Sequence, residues 1–280
     1  MARRCKFFHE CKAFAVTEVP YSKMPVCKHH FLKYVEDRVW KTIQEHNLIE
    51  LKPEEKVLVA VSGGKDSSTL LTILDRVLNK RVKMEALYIE VGIAPRNYSH
   101  DSEQVCRHLT ERLNIPLHVV DIKKEYGFNI DDIHELGRRL KRAHHGESFR
   151  GECSYCGLIK RYLINRFAIL NGFTKVATGH NLTDEATTLL GNFFNVDMEL
   201  MSRAGPITIT ESDNLVPRIK PLYYIYENET ILYAYYANVE HLPTECEYSI
   251  DSPTLNIKRS LDKAEELRRG TMMNMVKKFQ

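Results

Sequence analysis

The sequence predicts an α/β protein: a doubly wound parallel sheet with a small zinc-finger module at its N-terminus. Three observations lead there. Apolar runs of six to nine residues alternate with longer amphipathic stretches, the pattern of β-α-β units rather than of hairpins. One apolar run, Lys56 to Val61, ends in Ser62-Gly63-Gly64-Lys65-Asp66-Ser67 and is followed by Leu70, Leu71, Ile73, Leu74, Val77 and Leu78 at helical spacing. The first 30 residues hold three cysteines and three histidines but few apolar side chains, so a metal staple is the natural stabiliser.

Taken in order, residues 1–30 form the zinc module. Cys11 is followed 16 residues later by Cys27, and Cys27-Lys28-His29-His30 is a Cys-x-x-His pair. Tetrahedral zinc needs four such donors. Cys11, Cys27 and His30 supply three, and Cys5 or His9 the fourth. The first pair is irregularly spaced, and the competing reading is reduced cysteines in a loosely packed arm. Residues 31–52 link this module to the sheet through a helix from His30 to Ile49, with Phe31, Val35, Val39 and Ile43 on one side.

Residues 53–200 carry the core. Its strands are Val57 to Val61, Val82 to Glu90, Leu117 to Ile122 and Thr174 to Gly179. The helices between and after them run over Tyr98–Leu113, Asp131–Arg142, Cys156–Leu170 and Asp184–Phe194. Residues 201–280 complete the catalytic region. They offer a strand at Leu215–Ile219, a tyrosine-rich helix from Ile225 to Val239, a loop from Leu242 to Cys246 and one helix from Thr254 to Lys278. The tyrosines are read as core packing ahead of base stacking.

Composition narrows the function classes. With 43% hydrophobic and 28% charged residues and no run of about 18 apolar residues, the chain is expected to be soluble, without a membrane partner. A basic start without an apolar segment is not a secretory signal, so a cytoplasmic protein is expected. Its seven cysteines are then metal ligands or reactive thiols rather than disulfides. Net charge is only +3, but Arg138 to His145 and the C-terminal Lys258, Arg259, Lys263, Arg268 and Arg269 are dense in cations. Such runs are solvated helix faces unless they border an active site, where they grip a polyanion.

The glycine turn is a phosphate cradle. Adjacent glycines let backbone N–H groups approach a ligand, the following helix adds its dipole, and Lys65 adds a mobile cation. The bland alternative is an ordinary strand-to-helix turn. The spacing is not that of a Walker A loop; Ser62 to Ser67 instead resembles the PP-loop of ATP pyrophosphatases, which cut ATP to AMP and pyrophosphate. Ligands in open parallel sheets bind at the carboxyl ends of strands. Gly179, His180, Asp184 and Glu185 follow the fourth strand and belong there. Asp184 either caps its helix or holds Mg²⁺ on the ATP phosphates. Cys153-Ser154-Tyr155-Cys156 is half a zinc site, a redox pair or part of an iron–sulfur site. Cys246 makes a third thiol. Three thiolates leave one iron of a [4Fe–4S] cluster without a protein ligand, or make a persulfide on one cysteine that another resolves. Cys106 is read as an inert buried thiol.

Together these residues resemble the tRNA 2-thiouridine synthetases, the TtuA-type branch of the PP-loop ATP pyrophosphatases. The likeness covers the N-terminal finger, Ser62 to Ser67, Cys153 with Cys156, Gly179-His180-Asn181 through Glu185, Arg218-Ile219-Lys220-Pro221-Leu222 and Cys246. It implies an ATP-binding fold, a [4Fe–4S] cluster on Cys153, Cys156 and Cys246, and catalytic roles for Lys160 and Asp184. It also implies sulfur transfer to C2 of a tRNA uridine. The sulfur donor is a ubiquitin-like carrier thiocarboxylate or sulfide, and a homodimer is a common assembly. The family's first finger usually opens with Cys-x-x-Cys, but Phe8 stands here at the second position. Many members carry a second, C-terminal finger, which this sequence lacks; that bears on tRNA docking rather than on chemistry. Other readings are a tRNA cytidine thiolase, a persulfide-based thiolase, an amidotransferase-type ligase and a non-catalytic zinc and nucleotide module that binds tRNA.

Overall fold

The computed structural model describes all residues except 1–2, 9, 20–21, 143–150, 209–213, 250–252 and 280. A short hairpin, β1 (Thr17–Glu18) and β2 (Pro25–Val26), leads into α1 (Lys28–Glu45). The chain then runs β3 (Lys56–Val61), α2 (Lys65–Leu78), β4 (Lys83–Glu90), α3 (Tyr98–Leu113) and β5 (Leu117–Asp121). Next come α4 (Ile122–Tyr126), α5 (Ile130–Arg142), α6 (Glu152–Leu170), β6 (Lys175–Ala177), α7 (Leu182–Phe194) and α8 (Met198–Ser202). β7 (Ile207–Thr208), β8 (Arg218–Ile219), α9 (Glu227–Ala237), α10 (Pro253–Leu267) and α11 (Thr271–Phe279) complete the order.

Among the described residues six strands make one sheet, ordered β5-β4-β3-β6-β8-β7. All neighbours are parallel except β7 with β8. The chain builds outward from β3 through β4 to β5, then returns to place β6 on the other flank of β3. The strand order therefore reverses between β3 and β6, where an open sheet parts to admit a ligand. Alternation along β3 shows why its run is almost wholly apolar. Val57, Val59 and Val61 pack on one face with Leu70, Leu71, Ile73 and Leu109. Leu58 packs on the other with Leu87, Ile130, Leu163 and Val176. Both faces are buried, as a parallel sheet requires.

The N-terminal finger is continuous with the first of these cores, since Cys5, Val19, Val26, Cys27 and Phe31 are buried in the cluster that contains Val57 and Leu70. Arg38 on α1 reaches the fully buried Glu229 on α9 at 2.6 Å, which ties the linking helix to the C-terminal region.

Several expected boundaries shift. α6 begins at Glu152 rather than at the expected Cys156, so Cys153 as well as Cys156 lies in its first turns. The expected final helix is two helices, broken at Gly270, whose φ of 84° is left-handed; the Glu265 carboxylate accepts from the N–H groups of Gly270 and Met272. β7 was not expected, because two residues are too few for a periodicity to show. Of the tyrosines, Tyr223 and Tyr233 are buried while Tyr235 is 73% exposed, so only part of that cluster is core. No helix among the described residues is long and apolar enough to cross a membrane.

Candidate active site

The turn after β3 can be built only with glycine at its second position. Gly63 has φ +72°, and a Cβ there would stand 2.7 Å from the Ser102 carbonyl oxygen of α3. Gly64 then N-caps α2 in an extended conformation. Ser67 Oγ accepts from the Ser62 N–H and donates to the Gly64 carbonyl, both at 3.1 Å, bracing the loop across its mouth. Gly179 is demanded by packing as well: a Cβ would lie 2.8 Å from the Ser67 nitrogen. The turn after β6 therefore rests on the first turn of α2. Behind the loop, burial pushes the Cys106 thiol up to about 12, so it is inert.

Beside the loop lies a network that links distant segments. Lys65 Nζ is 3.0 Å from Asp66 Oδ1 and 3.3 Å from Glu227 Oε1. The other oxygen of Glu227 takes Lys258 Nζ at 2.6 Å, and Thr230 Oγ1 donates to Asp66 at 2.7 Å. Asp184 Oδ2 accepts from the Asn181 N–H in a capping box at the start of α7. Burial raises the Asp184 pKa to about 6; the Asn181 N–H and Lys258 oppose this, while the charges of Asp66 and Glu227 add to it. Asp184 is therefore both a helix cap and a half-buried carboxyl near other carboxylates. Sequence reasoning missed Glu227 and Thr230, which sit at ordinary helix positions and carry no local signature, and read Lys258 only as one of a run of C-terminal cations.

The three cysteines lie near one another at the base of α6, close enough for their charges to interact. Cys153 Sγ donates to the Tyr248 carbonyl at 3.0 Å. Tyr248 in turn donates its hydroxyl to Asp131 at 2.7 Å and stacks on His134 at 4.8 Å, so the Cys246 loop is pinned to α5. Desolvation raises the pKa of Cys153, and the charges of Cys246 and Cys156 raise it further; Lys160 works the other way. Cys246 is likewise raised by desolvation and by Cys156, with Lys160 again opposing. The thiols thus sense one another and one lysine. The same loop is bonded to the glycine turn, where the Leu242 N–H donates to the Gly63 carbonyl at 2.8 Å. The donor set fits a cubane cluster, which takes cysteine thiolates and spreads them wider than a single ion does.

A cavity of about 570 Å³ opens from the turn. Ser62, Asp66 and Ser67 line it, as do Thr178, Gly179 and His180 after β6. Lys160 and Arg161 of α6 and Arg218 of β8 line it too. Lys160 therefore borders the cavity and bears on the thiols at once. His180 Nδ1 lies 3.0 Å from Thr178 Oγ1.

Residues 32–144 match the PP-loop domain. The tRNA-5-methyluridine(54) 2-sulfurtransferase of Pyrococcus horikoshii is 37% identical over 276 residues, 99% of this chain and 81% of that one. The chain belongs to the tRNA 2-thiolation family of PP-loop enzymes. The tRNA 2-thiolation protein NcsA of Haloferax volcanii is 34% identical over 274 residues, covering 94% of this chain and 82% of its own. In three dimensions the U34-tRNA thiolase NcsA of Methanococcus maripaludis, solved with its [4Fe-4S] cluster, superposes with a TM-score of 0.81. That likeness covers 97% of this chain and 85% of that one at 26% identity. The expected PP-loop resemblance and the α/β fold are thereby borne out.

In this PP-loop family member the N-terminal donors also converge. Among the described residues, Cys5, Cys11, Cys27 and His30 form the one group of such donors whose ligand atoms all lie within 4.8 Å of one another. His30 Nδ1 is 3.2 Å from Cys5 Sγ and 3.4 Å from Cys27 Sγ. Burial opposes ionisation of Cys5, but the N–H groups of Phe7 and Cys27, with His30 and Cys11, hold its pKa down at about 6. Thiolate-favouring surroundings of this kind suit a metal ligand. His9, the alternative fourth donor, lies outside the described residues.

Proposed function

We propose that this chain is an ATP-dependent tRNA-uridine 2-sulfurtransferase that works in the cytoplasm, where thiols stay reduced. The observation that carries the reading is the Leu242–Gly63 bond, which joins the loop of Cys246 to the phosphate-binding turn. A uracil C2 oxygen is a poor leaving group. Attack of that oxygen on the α-phosphate of ATP expels pyrophosphate and makes a good one. Hydrosulfide, supplied as sulfide or released from a carrier thiocarboxylate by water, which leaves the carrier as a carboxylate, then adds to C2, loses its proton, and AMP departs with the former C2 oxygen.

The PP-loop N–H groups and Lys65 offset the charge that gathers on pyrophosphate, and Lys65 exchanges Asp66 and Glu227 for phosphate oxygens as ATP enters. Lys160, between cavity and thiols, stabilises the negative charge that builds as sulfur adds. Asp184, with a pKa of about 6, is ionised at neutral pH; there it accepts a proton or binds Mg²⁺ with the ATP phosphates. Cys153, Cys156 and Cys246 hold a [4Fe–4S] cluster, which when bound supplies one iron that no side chain of the trio caps. Cys5, Cys11, Cys27 and His30 hold Zn²⁺ and close the finger. The target uridine must be splayed from the folded tRNA to reach the cavity.

The test is incubation of anaerobically purified protein with tRNA, ATP and sulfide, followed by mass spectrometry of the nucleosides. 2-Thiouridine formed only with ATP is the expected result. Thiolated cytidine, or no thiolated nucleoside from iron-loaded protein, overturns the reading.

A further inference from the structure

Arginines of this protein commonly meet carboxylates. Arg38, Arg76, Arg107 and Arg166 each pair with a glutamate. Arg161 and Arg218 differ. They line the same cavity from α6 and β8, and among the described residues neither has a carboxylate partner. The charge that does bear on Arg218 is that of Arg161, which adds to the effect of burial and lowers its pKa. Two like charges on one half-enclosed wall repel each other, and their planar donor forks are shaped for a phosphate.

We infer that Arg161 and Arg218 together seat a phosphodiester of the substrate RNA in this cavity. The inference rests on the thiolation reading and says how that substrate is gripped. The phosphates of ATP are provided for by the turn's own N–H groups and Lys65. The wall around the arginines is suited to RNA instead. Tyr162 and Leu158 on α6 are 57% and 59% exposed, and Leu215, which also lines the cavity, is 46% exposed. An exposed aromatic ring beside a guanidinium is a surface on which an unstacked base rests, and the adjoining phosphate falls to the cation.

The test uses the full chain with Arg161→Ala, Arg218→Ala, the double change, and Arg161→Lys with Arg218→Lys. Unmodified tRNA binding is measured against salt concentration, and ATP binding by calorimetry. The double alanine variant should bind tRNA on the order of tenfold more weakly, with a salt slope reduced by about 1 to 2, while ATP affinity changes by less than about twofold. The double lysine variant should keep the salt slope but recover only part of the affinity. If Arg218→Ala does not fold, Arg161→Ala and Arg218→Lys carry the same comparison. Loss of ATP affinity with tRNA binding intact overturns the assignment and gives the pair to the nucleotide. Wild-type binding of tRNA that the double variant leaves unchanged overturns this assignment alone. Absence of tRNA binding by the wild-type chain overturns it together with the thiolation reading.

Discussion

Lys65 Nζ lies 3.3 Å from Glu227 Oε1, so the cation of the phosphate turn is held by a helix 162 residues further along the chain. Glu227 in turn holds Lys258 from α10. The C-terminal region therefore reaches directly into the nucleotide site and sets where Lys65 waits.

Lys65→Ala should weaken ATP binding roughly tenfold to a hundredfold, the worth of a charge-assisted hydrogen bond to phosphate. Iron content should not change, because Lys65 does not touch the cysteine trio. Calorimetry with ATP and an iron assay on the same preparation check both halves.

Cys153→Ala, Cys156→Ala and Cys246→Ala should each abolish thiolation and lower bound iron while leaving ATP affinity within about twofold of wild type, since a cluster needs all of its thiolates. Full activity in any one of them counts against the cluster. Persistence of activity without iron would favour persulfide chemistry.

Asp184 should show a pH signature. Its folded pKa of about 6 lies above the ordinary 3.8, so the folded state binds the extra proton and stability falls as pH rises through that window. Asp184→Asn keeps an oxygen for the Asn181 N–H and removes the half-buried charge. It should stabilise the protein by ~2 kcal/mol at pH 7.5 and by less at pH 5, while thiolation is lost. Denaturant titrations at the two pH values test the sign. Wild-type thiolation should fall as Asp184 protonates below pH about 6.

Removing zinc should destabilise more than the finger. Cys5, Cys27, Val19 and Val26 share a buried cluster with Val57 and Leu70. Cys27→Ser, or a strong chelator, should lower the main melting transition by on the order of a few kcal/mol and leave one zinc fewer per chain. A finger that melts alone, with the main transition unmoved, would contradict this continuity.

Glu229→Ala should be among the most destabilising single changes, about 3 to 5 kcal/mol, because it leaves the Arg38 guanidinium without its buried counter-charge. Chemical denaturation with ATP binding as a second readout distinguishes this from a local effect on the site.

Sequence alone determined what neighbouring residues decide among themselves. The apolar alternation of β3, the two glycines and the amphipathic run after them specify strand, turn and helix, because backbone sterics and side-chain periodicity act over a few residues. The Cys11, Cys27 and His30 donors were legible for the same reason. Cys246 could be grouped with Cys153 and Cys156 only by sorting the cysteines into sets, since nothing in its local sequence says which thiols it meets. Tertiary structure alone decided that Cys5 joins the finger, that Glu227 holds Lys65 and Lys258, and that Arg161 and Arg218 line one cavity. Helices laid on both faces of a sheet whose order reverses at β3 bring together charges more than 30 residues apart. Such pairings depend on packing direction, which no stretch of sequence records by itself.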